Sequence, residues 1–196
     1  PDSHGYYGPA AAKQLRYLLK NVTRTPTGAI SQRASPKQVQ LWSDSAYMGP
    51  PFLAYYGWVT QNQSLVQMAF DELKLQRSAL HRPQDPGRHL WRHIIEFPNN
   101  TKATRAIDAR VWLTGNGWAA AGMLRVAAII SHSPWADKMQ AQHDQLVQWA
   151  DDIITAAYQF VDPGTGLLLN AIDDPSTFLD GSGSALLSYA VFRLAS

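Results

Sequence analysis

The 196-residue sequence contains no cysteine, which excludes disulfide bonds, thiol nucleophiles and thiolate metal sites. It has no apolar run long enough to span a bilayer and no basic segment followed by an apolar one, so neither a membrane span nor a targeting signal is expected. Charged residues make up only 16% of the chain, and the 17 Lys and Arg form no basic run. Nucleic acid is therefore not an expected partner.

Strand-like alternation of apolar and polar residues is also missing beyond a few residues, whereas helical periodicity is common. The periodicity predicts helices at residues 10–19, 63–80, 118–130, 134–160 and 184–194, with Ser133 as the cap of the fourth. Pro50 and Pro51 predict a break in the apolar run of residues 39–59, and residues 81–110 are expected to be irregular. With 45% hydrophobic residues, the chain is expected to form one all-α domain of helical hairpins over residues 1–196.

Aromatic residues are abundant, with 7 Trp and 8 Tyr. Flat rings cover the apolar face of a pyranose, so this content favours a sugar-binding cleft. Three Asn-x-Ser/Thr triplets, at Asn21, Asn62 and Asn99, would accept N-linked glycans in a protein exported by a eukaryote. Secretion is therefore compatible with the sequence, which leaves the localisation open.

Three motifs contain the candidate functional residues. LWSDSAYMGPPFLA contains Asp44, LWRHIIE contains His93, and VWLTGNGWAAAGM contains Gly115–Gly117, which are expected to form a tight turn with positive φ. Taken singly, each motif has an ordinary explanation. An Asp ahead of a helix is typical of a cap, a lone His is usually structural, and Asn-Gly is a common turn signal.

In this order and at these separations, the motifs resemble the unsaturated glucuronyl and rhamnogalacturonyl hydrolases of glycoside hydrolase families 88 and 105. The residues shared with the family pattern are Trp42, Asp44, Tyr47, Met48, Trp91, His93, Trp112 and Gly115 to Trp118. The tail FLDGSGSALLSY is similar to the start of a late family helix, with Asp180 where Glu is commoner. The resemblance implies an (α/α)6 toroid of six helical hairpins, incomplete in this chain.

The resemblance also implies a glycoside hydrolase that removes a 4,5-unsaturated uronic acid from the non-reducing end of lyase-generated oligosaccharides. Hydration of the C4=C5 bond would release the sugar, pectic rhamnogalacturonan products would be the favoured substrates, and neither a cofactor nor a metal is implied. Asp44 would be the catalytic residue. The implied substrate-binding residues are Trp42, Met48, His93, Trp112, Asn116 and Trp118, and Arg33 is added as a candidate cation.

Two features depart from the family pattern. Thr114 stands where the family usually has Arg, so the cation for the substrate carboxylate would have to come from Arg33, Arg92 or Arg110. A six-hairpin toroid needs about twelve helices and therefore at least about 200 residues. Part of the toroid, including an Asp that many relatives supply from an earlier hairpin, is expected to lie outside this chain.

These departures leave alternatives open. The chain could be a catalytically impaired relative that binds a sugar or serves as an interaction module. It could also be an inverting glycosidase, in which Glu96, Asp108 or Asp180 would be the second carboxylate. Helix faces left uncovered by missing hairpins predict association with a second copy or a partner chain.

Overall fold

The computed structural model describes residues 5, 7–82 and 89–195, and within them helices dominate. The helices are α1 Tyr7–Lys20, α2 Ser45–Val59, α3 Gln63–Leu80, α4 Leu113–Ser131, α5 Gln140–Tyr158 and α6 Gly181–Ala195. The strands are β1 Gln40–Trp42, β2 Ile94–Glu96 and β3 Arg105–Asp108, and short 3-10 helices occupy Pro98–Asn100 and Asp137–Met139. Of the helices described, none combines the length and apolarity that crossing a bilayer would require.

Helices α2, α4 and α6 form one layer of the domain. α4 lies between α2 and α6 and packs against both, whereas α3 pairs with α2 and α5 pairs with α4 as antiparallel hairpins on the outside. Most residues of α4 are buried, including Leu113, Met123 and Ile130, each with no exposed surface. A helix that is apolar on nearly all sides is stable only inside a domain, so α4 is its central helix.

Glycines set the close packing of α4. The expectation of a tight turn at Gly115–Gly117 is wrong, because these residues are helical and none has positive φ. A Cβ atom at Gly115 would overlap the hydroxyl of Ser43, and one at Gly122 would overlap the backbone carbonyl of Ala46. The glycines therefore allow α4 to approach the beginning of α2 closely.

The prediction of a break at Pro50 and Pro51 is also wrong, since α2 continues through both residues. Two prolines remove the backbone donors that would bond the carbonyls of Ala46 and Tyr47, and an isolated helix would be weakened by this loss. Packing of α2 between α3 and α4, with Leu53 fully buried, offsets that cost.

Part of the segment expected to be irregular is a small antiparallel sheet with β2 in its centre. Leu41 of β1 lies opposite Ile95, and Ile94 lies opposite Asp108 of β3, with an irregularity between Ile94 and Ile95. Strands of three or four residues are too short to show alternation in sequence, so they were not predicted. Residues 83–88 of this predicted segment lie outside the described residues.

The start of α5 also differs from its prediction. Ser133 accepts a hydrogen bond from the amide of Trp135, as a cap would, but the regular helix begins only at Gln140 after the 3-10 turn. The predicted apolar stripe persists, because Met139, Leu146 and Ile153 are fully buried. Ser133 therefore caps the turns that precede α5, and not α5 itself.

Candidate active site

The first residues of the three inner helices meet at one end of the domain. Asp44 precedes α2, Trp112 precedes α4, and Asp180 precedes α6. The rings of His93 and Trp112 are 4.5 Å apart, and the Thr114 hydroxyl lies 3.0 Å from Oδ2 of Asp180. Side chains from α2, α4, α6 and the loops between them are thus close enough to build a site.

Backbone pairing brings the key segments side by side. The amide of Ser43 donates a 3.0 Å hydrogen bond to the carbonyl of His93, and the amide of His93 donates one of 3.0 Å to the carbonyl of Arg110. These bonds extend the β1-β2-β3 order past the ends of the strands. Because the three segments are adjacent, Asp44, His93 and Asp108 lie next to each other.

The His93 imidazole is the centre of this cluster. Its Nδ1 lies 2.9 Å from Oδ2 of Asp108, and its Nε2 lies 3.5 Å from Oδ2 of Asp44. The Trp42 ring approaches it edge-on with 5.8 Å between ring centroids, and Trp112 lies across it at a tilt. Two carboxylates and two indoles therefore restrict the orientation of the imidazole.

Asp44 does not have the capping role that is typical of its position. Although it is the N-cap residue of α2, its side chain makes no capping hydrogen bond. Its Oδ2 is buried and has no hydrogen-bond partner in the described part of the chain, and the 3.5 Å approach of His93 is an ion-pair distance. A buried oxygen without a hydrogen-bond partner destabilises the fold. The same oxygen is available to react with a bound molecule.

Electrostatics favour the charged forms of His93 and Asp108. Burial alone would lower the pKa of His93, but the nearby charges of Asp44 and Asp108 and the hydrogen bond with Asp108 outweigh it and raise that pKa above its ordinary value. The Arg110 guanidinium, with a smaller contribution from His93, holds the pKa of Asp108 far below its usual range despite partial burial. Asp108 is therefore ionised at neutral pH.

The three candidate cations occupy different places. The Arg33 guanidinium lies over the Trp42 ring, 5.2 Å from its centroid, within the range of a cation–π contact. Arg110 binds Asp108, with 2.7 Å between Nη2 and Oδ2. Arg92 is held through its backbone amide, which donates to the carbonyl of Leu80. Arg33 and Arg110 thus flank the His93 cluster through Trp42 and Asp108 respectively.

All three candidate second carboxylates have hydrogen-bond or ion-pair partners, and for Asp180 and Glu96 these partners do not include His93. Asp180 accepts hydrogen bonds from the Thr114 hydroxyl, the Asn170 amide and the backbone of Gly183. Burial raises the Asp180 pKa, but these hydrogen bonds outweigh it, so the pKa is lowered. Glu96 pairs with Arg105. Asp108 is the candidate that contacts His93 directly.

Asn116 has a different position from the one expected of a substrate-binding residue. Its side chain is fully buried, accepts a hydrogen bond from the Trp91 amide and donates to the carbonyls of Trp91 and Trp112. A side chain with all these bonds inside the protein cannot reach a substrate. Asn116 instead fixes the two tryptophan segments on either side of His93.

Met48 and Trp118 lie further from the cluster. Met48 is half exposed and lines a cavity of about 200 Å³ together with Tyr17 of α1, and neither Asp44 nor His93 is among the residues lining it. Trp118 packs on the Tyr47 ring at 4.7 Å. A substrate contact for either residue therefore stays a prediction.

The pairing of Asp108 with His93 is the part of the site that sequence reasoning missed. Asp108 was considered there only as a second carboxylate, and Arg110 only as a replacement cation. The Asp-x-Arg spacing was visible, and it allows Arg110 to bond Asp108 with its backbone amide and its guanidinium. Its proximity to His93 depends on the β2–β3 pairing, which the sequence did not reveal.

Comparison with known proteins places this chain in a family. The chain belongs to Glycosyl Hydrolase Family 88, whose family model matches residues 4–194. It is 24% identical over 191 residues to the unsaturated rhamnogalacturonyl hydrolase YesR of Bacillus subtilis strain 168, covering 94% of this chain and 51% of that protein.

Solved structures show the same architecture. A possible member of the GH105 family from Salmonella enterica has a TM-score of 0.82 at 21% identity, over 98% of this chain and 48% of that one. The unsaturated glucuronyl hydrolase of Bacillus sp. GL1 has a TM-score of 0.72 at 17% identity, over 99% and 50%. The fold is therefore that of the six-hairpin toroids, and this chain spans about half the length of these relatives.

Proposed function

We propose that this protein is a hydrolase that removes a 4,5-unsaturated uronic acid from the non-reducing end of lyase-generated oligosaccharides, with Asp44 as its catalytic residue. One observation carries the proposal. The buried Oδ2 of Asp44 has no hydrogen-bond partner in the described chain and faces His93 at 3.5 Å, beside the indoles of Trp42 and Trp112. A polar atom left in this way beside aromatic rings suits a sugar-processing site.

The reaction begins at the C4=C5 double bond, which is a vinyl ether. The protonated carboxyl of Asp44 donates its proton to C4, which leaves positive charge shared between C5 and the ring oxygen. Water then adds to C5, and the Asp44 carboxylate takes up the proton that the water loses. The resulting hemiketal opens and releases the remaining sugar, so no covalent glycosyl-enzyme forms.

His93 supports Asp44 in this scheme. When protonated, its Nε2–H lies 3.5 Å from the carboxylate and stabilises the negative charge left on Asp44 after proton donation. Trp42 and Trp112, which both contact the imidazole, offer apolar faces for the sugar ring.

Arg33 is the proposed partner of the substrate carboxylate. Its guanidinium is already held over Trp42, which keeps a planar, permanently charged group beside the proposed stacking surface. A preference for pectic rhamnogalacturonan products is supported by the similarity to YesR, a rhamnogalacturonyl hydrolase by name. A glucuronyl hydrolase among the structural relatives makes glycosaminoglycan products the competing substrates.

The second candidate is a catalytically impaired relative that binds a sugar without hydrolysing it. Thr114 favours this alternative, because a neutral hydroxyl that donates to the buried Asp180 replaces the Arg of the family pattern. In that case the aromatic surfaces of Trp42 and Trp112 would bind an unsaturated uronide and release it unchanged.

The deciding experiment follows the loss of ultraviolet absorbance of unsaturated uronyl disaccharides, prepared with pectic and glycosaminoglycan lyases. Wild type is compared with Asp44→Asn and with Asp71→Asn, which removes an exposed carboxylate on α3. Hydrolysis that disappears with Asp44→Asn and persists with Asp71→Asn supports the proposal and identifies the substrate class. Saturable disaccharide binding by calorimetry without absorbance loss in the wild type would support the sugar-binding alternative.

Association with another copy or a partner chain stays a proposal. The proposal is supported by exposed apolar side chains in and near α6, namely Phe178 just before the helix and Tyr189 and Phe192 within it. Sedimentation velocity over a range of concentrations tests self-association. A compact monomer at every concentration would rule out self-association under those conditions.

A further inference from the structure

Asp108 lies on the opposite side of His93 from Asp44. Its Oδ2 accepts from Nδ1 of the imidazole at 2.9 Å, while Nε2 is directed toward Asp44 at 3.5 Å. The two carboxylates come from different parts of the chain, one at the end of β3 and one before α2. The imidazole is therefore the link between them.

The Asp108 carboxylate is itself held in place by Arg110. The guanidinium donates to both carboxylate oxygens, with Nε 2.9 Å from Oδ1 and Nη2 2.7 Å from Oδ2, and the Arg110 amide donates to Oδ1 at 3.1 Å. A two-point guanidinium contact with a carboxylate restricts rotation far more than one hydrogen bond does. Asp108 is thus a fixed acceptor for His93.

A fixed acceptor at one imidazole nitrogen determines what the other nitrogen can do. A carboxylate at Nδ1 keeps the proton on that atom and sets the ring plane, so Nε2 has a defined direction and protonation. We propose that Asp108, held by Arg110, is a positioning residue that orients the His93 imidazole so that Nε2 faces Asp44. This inference rests on the proposed function for its effect on catalysis, but not for its effect on His93.

The two carboxylates that face His93 both raise its pKa, whereas Arg110 reduces the effect of Asp108. Asp44 approaches from the start of α2 and Asp108 from the end of β3, with Arg110 behind Asp108 and partly neutralising it. The neighbours from β1 and from the start of α4 are Trp42 and Trp112, which have no charge. Removing the negative charge of Asp108 should therefore make His93 easier to deprotonate.

The test measures His93 first and turnover second. In Asp108→Asn, the amide oxygen still accepts from Nδ1, so nuclear magnetic resonance of the imidazole nitrogens should show the same tautomer but a lower His93 pKa. In Asp108→Ala, both the pKa and the tautomer preference should change. Arg110→Gln keeps the carboxylate but removes the cation that partly neutralises and fixes it, so the His93 pKa should not fall below the wild-type value while the tautomer preference weakens. Circular dichroism and a melting curve establish that each variant is folded.

For activity, Asp108→Asn should reduce kcat on an unsaturated uronyl disaccharide about tenfold or more and leave KM nearly unchanged, since Asp108 contacts His93 and not the substrate. The pH profile of kcat should move in the same direction as the His93 pKa. An unchanged His93 titration and tautomer in a folded Asp108→Ala variant would overturn the positioning role. Changed His93 signals with no turnover in the wild type would support the positioning role and defeat the proposed function instead.

Discussion

The Thr114 hydroxyl donates a 3.0 Å hydrogen bond to Oδ2 of Asp180, which ties the first turn of α4 to the residue preceding α6. Asp180 in turn accepts from the amide of Gly183, whose missing side chain leaves room for Leu113. The position that is Arg in the family pattern is thus occupied by a small donor. The Thr114–Asp180 hydrogen bond joins two inner helices, and under the proposed function a different cation would bind the substrate carboxylate.

Thr114→Val should therefore lower the free energy of unfolding by about 1–2 kcal/mol, because it leaves the buried Asp180 carboxylate without one donor. Urea unfolding measures the change. Thr114→Ser keeps the hydroxyl and is the matched control, with an expected loss below that of the valine variant. Since Asp180 has a lowered pKa, its contribution is present above its ordinary pKa and is lost as the pH falls through the folded value. Equal stabilities of the valine and serine variants at neutral pH would contradict the role of this bond.

Asn116→Ala should be more damaging. The substitution leaves the amide and carbonyl of Trp91 and one acceptor at Trp112 without their side-chain partner, so a loss of about 2–4 kcal/mol is expected. Asn21→Ala, at an exposed position, is the control and should change stability by less than about 0.5 kcal/mol. Comparable midpoints for the two variants in a urea titration would show that the buried amide is dispensable.

Close helix packing predicts that alanine substitutions at two glycines differ in their effect on stability. Gly122→Ala should destabilise the domain by about 1–3 kcal/mol, since the new methyl group meets the rigid backbone carbonyl of Ala46. Gly181→Ala places its methyl group in open space at the start of α6 and should be nearly neutral. Thermal unfolding of both variants checks this difference, and a tolerated Gly122→Ala would mean that α2 and α4 are further apart than described.

The pH dependence of stability should depend on His93. Because its pKa is raised, its contribution is fully present below the ordinary value of 6.5 and is lost as the pH rises through the folded value. Asp108, with a lowered pKa, contributes above its ordinary value of 3.8 and loses its contribution as the pH falls. The free energy of unfolding should therefore decline from pH 6 to pH 9 in the wild type. His93→Gln should remove that part of the decline, and a parallel curve for the variant would contradict the assignment.

Arg33→Ala should weaken substrate binding if the proposed function holds. Loss of a charge-assisted contact of about 1.5 kcal/mol corresponds to a KM increase of about tenfold, with kcat changed less. Arg33→Lys retains the charge without the planar fork and should have an intermediate KM. Arg16→Ala, which removes an exposed cation on α1, is the control for net charge. An unchanged KM in Arg33→Ala would contradict the role of Arg33 and make Arg92 the next candidate cation.

The sequence predicted the bounds of α3 correctly because its apolar stripe, including Leu65, Ala69 and Leu73, is regular and has no proline. It failed at Pro50 and at Gly115–Gly117, where local rules favour a break or a turn. At both positions the preference of an isolated segment was overridden by packing between α2 and α4.

The sequence by itself indicated the helical class through local periodicity, and it indicated the family, with Asp44 and His93 as candidate site residues, through three motifs taken together in order and separation. Tertiary structure alone decided that Asp108 and Arg110 join this pair and that Asn116 is buried away from substrate. These outcomes depend on short strands that pair across long separations and on helices that approach through glycine. Neither interaction leaves a periodic pattern in the sequence, since its energy comes from contacts that exist only in the folded chain.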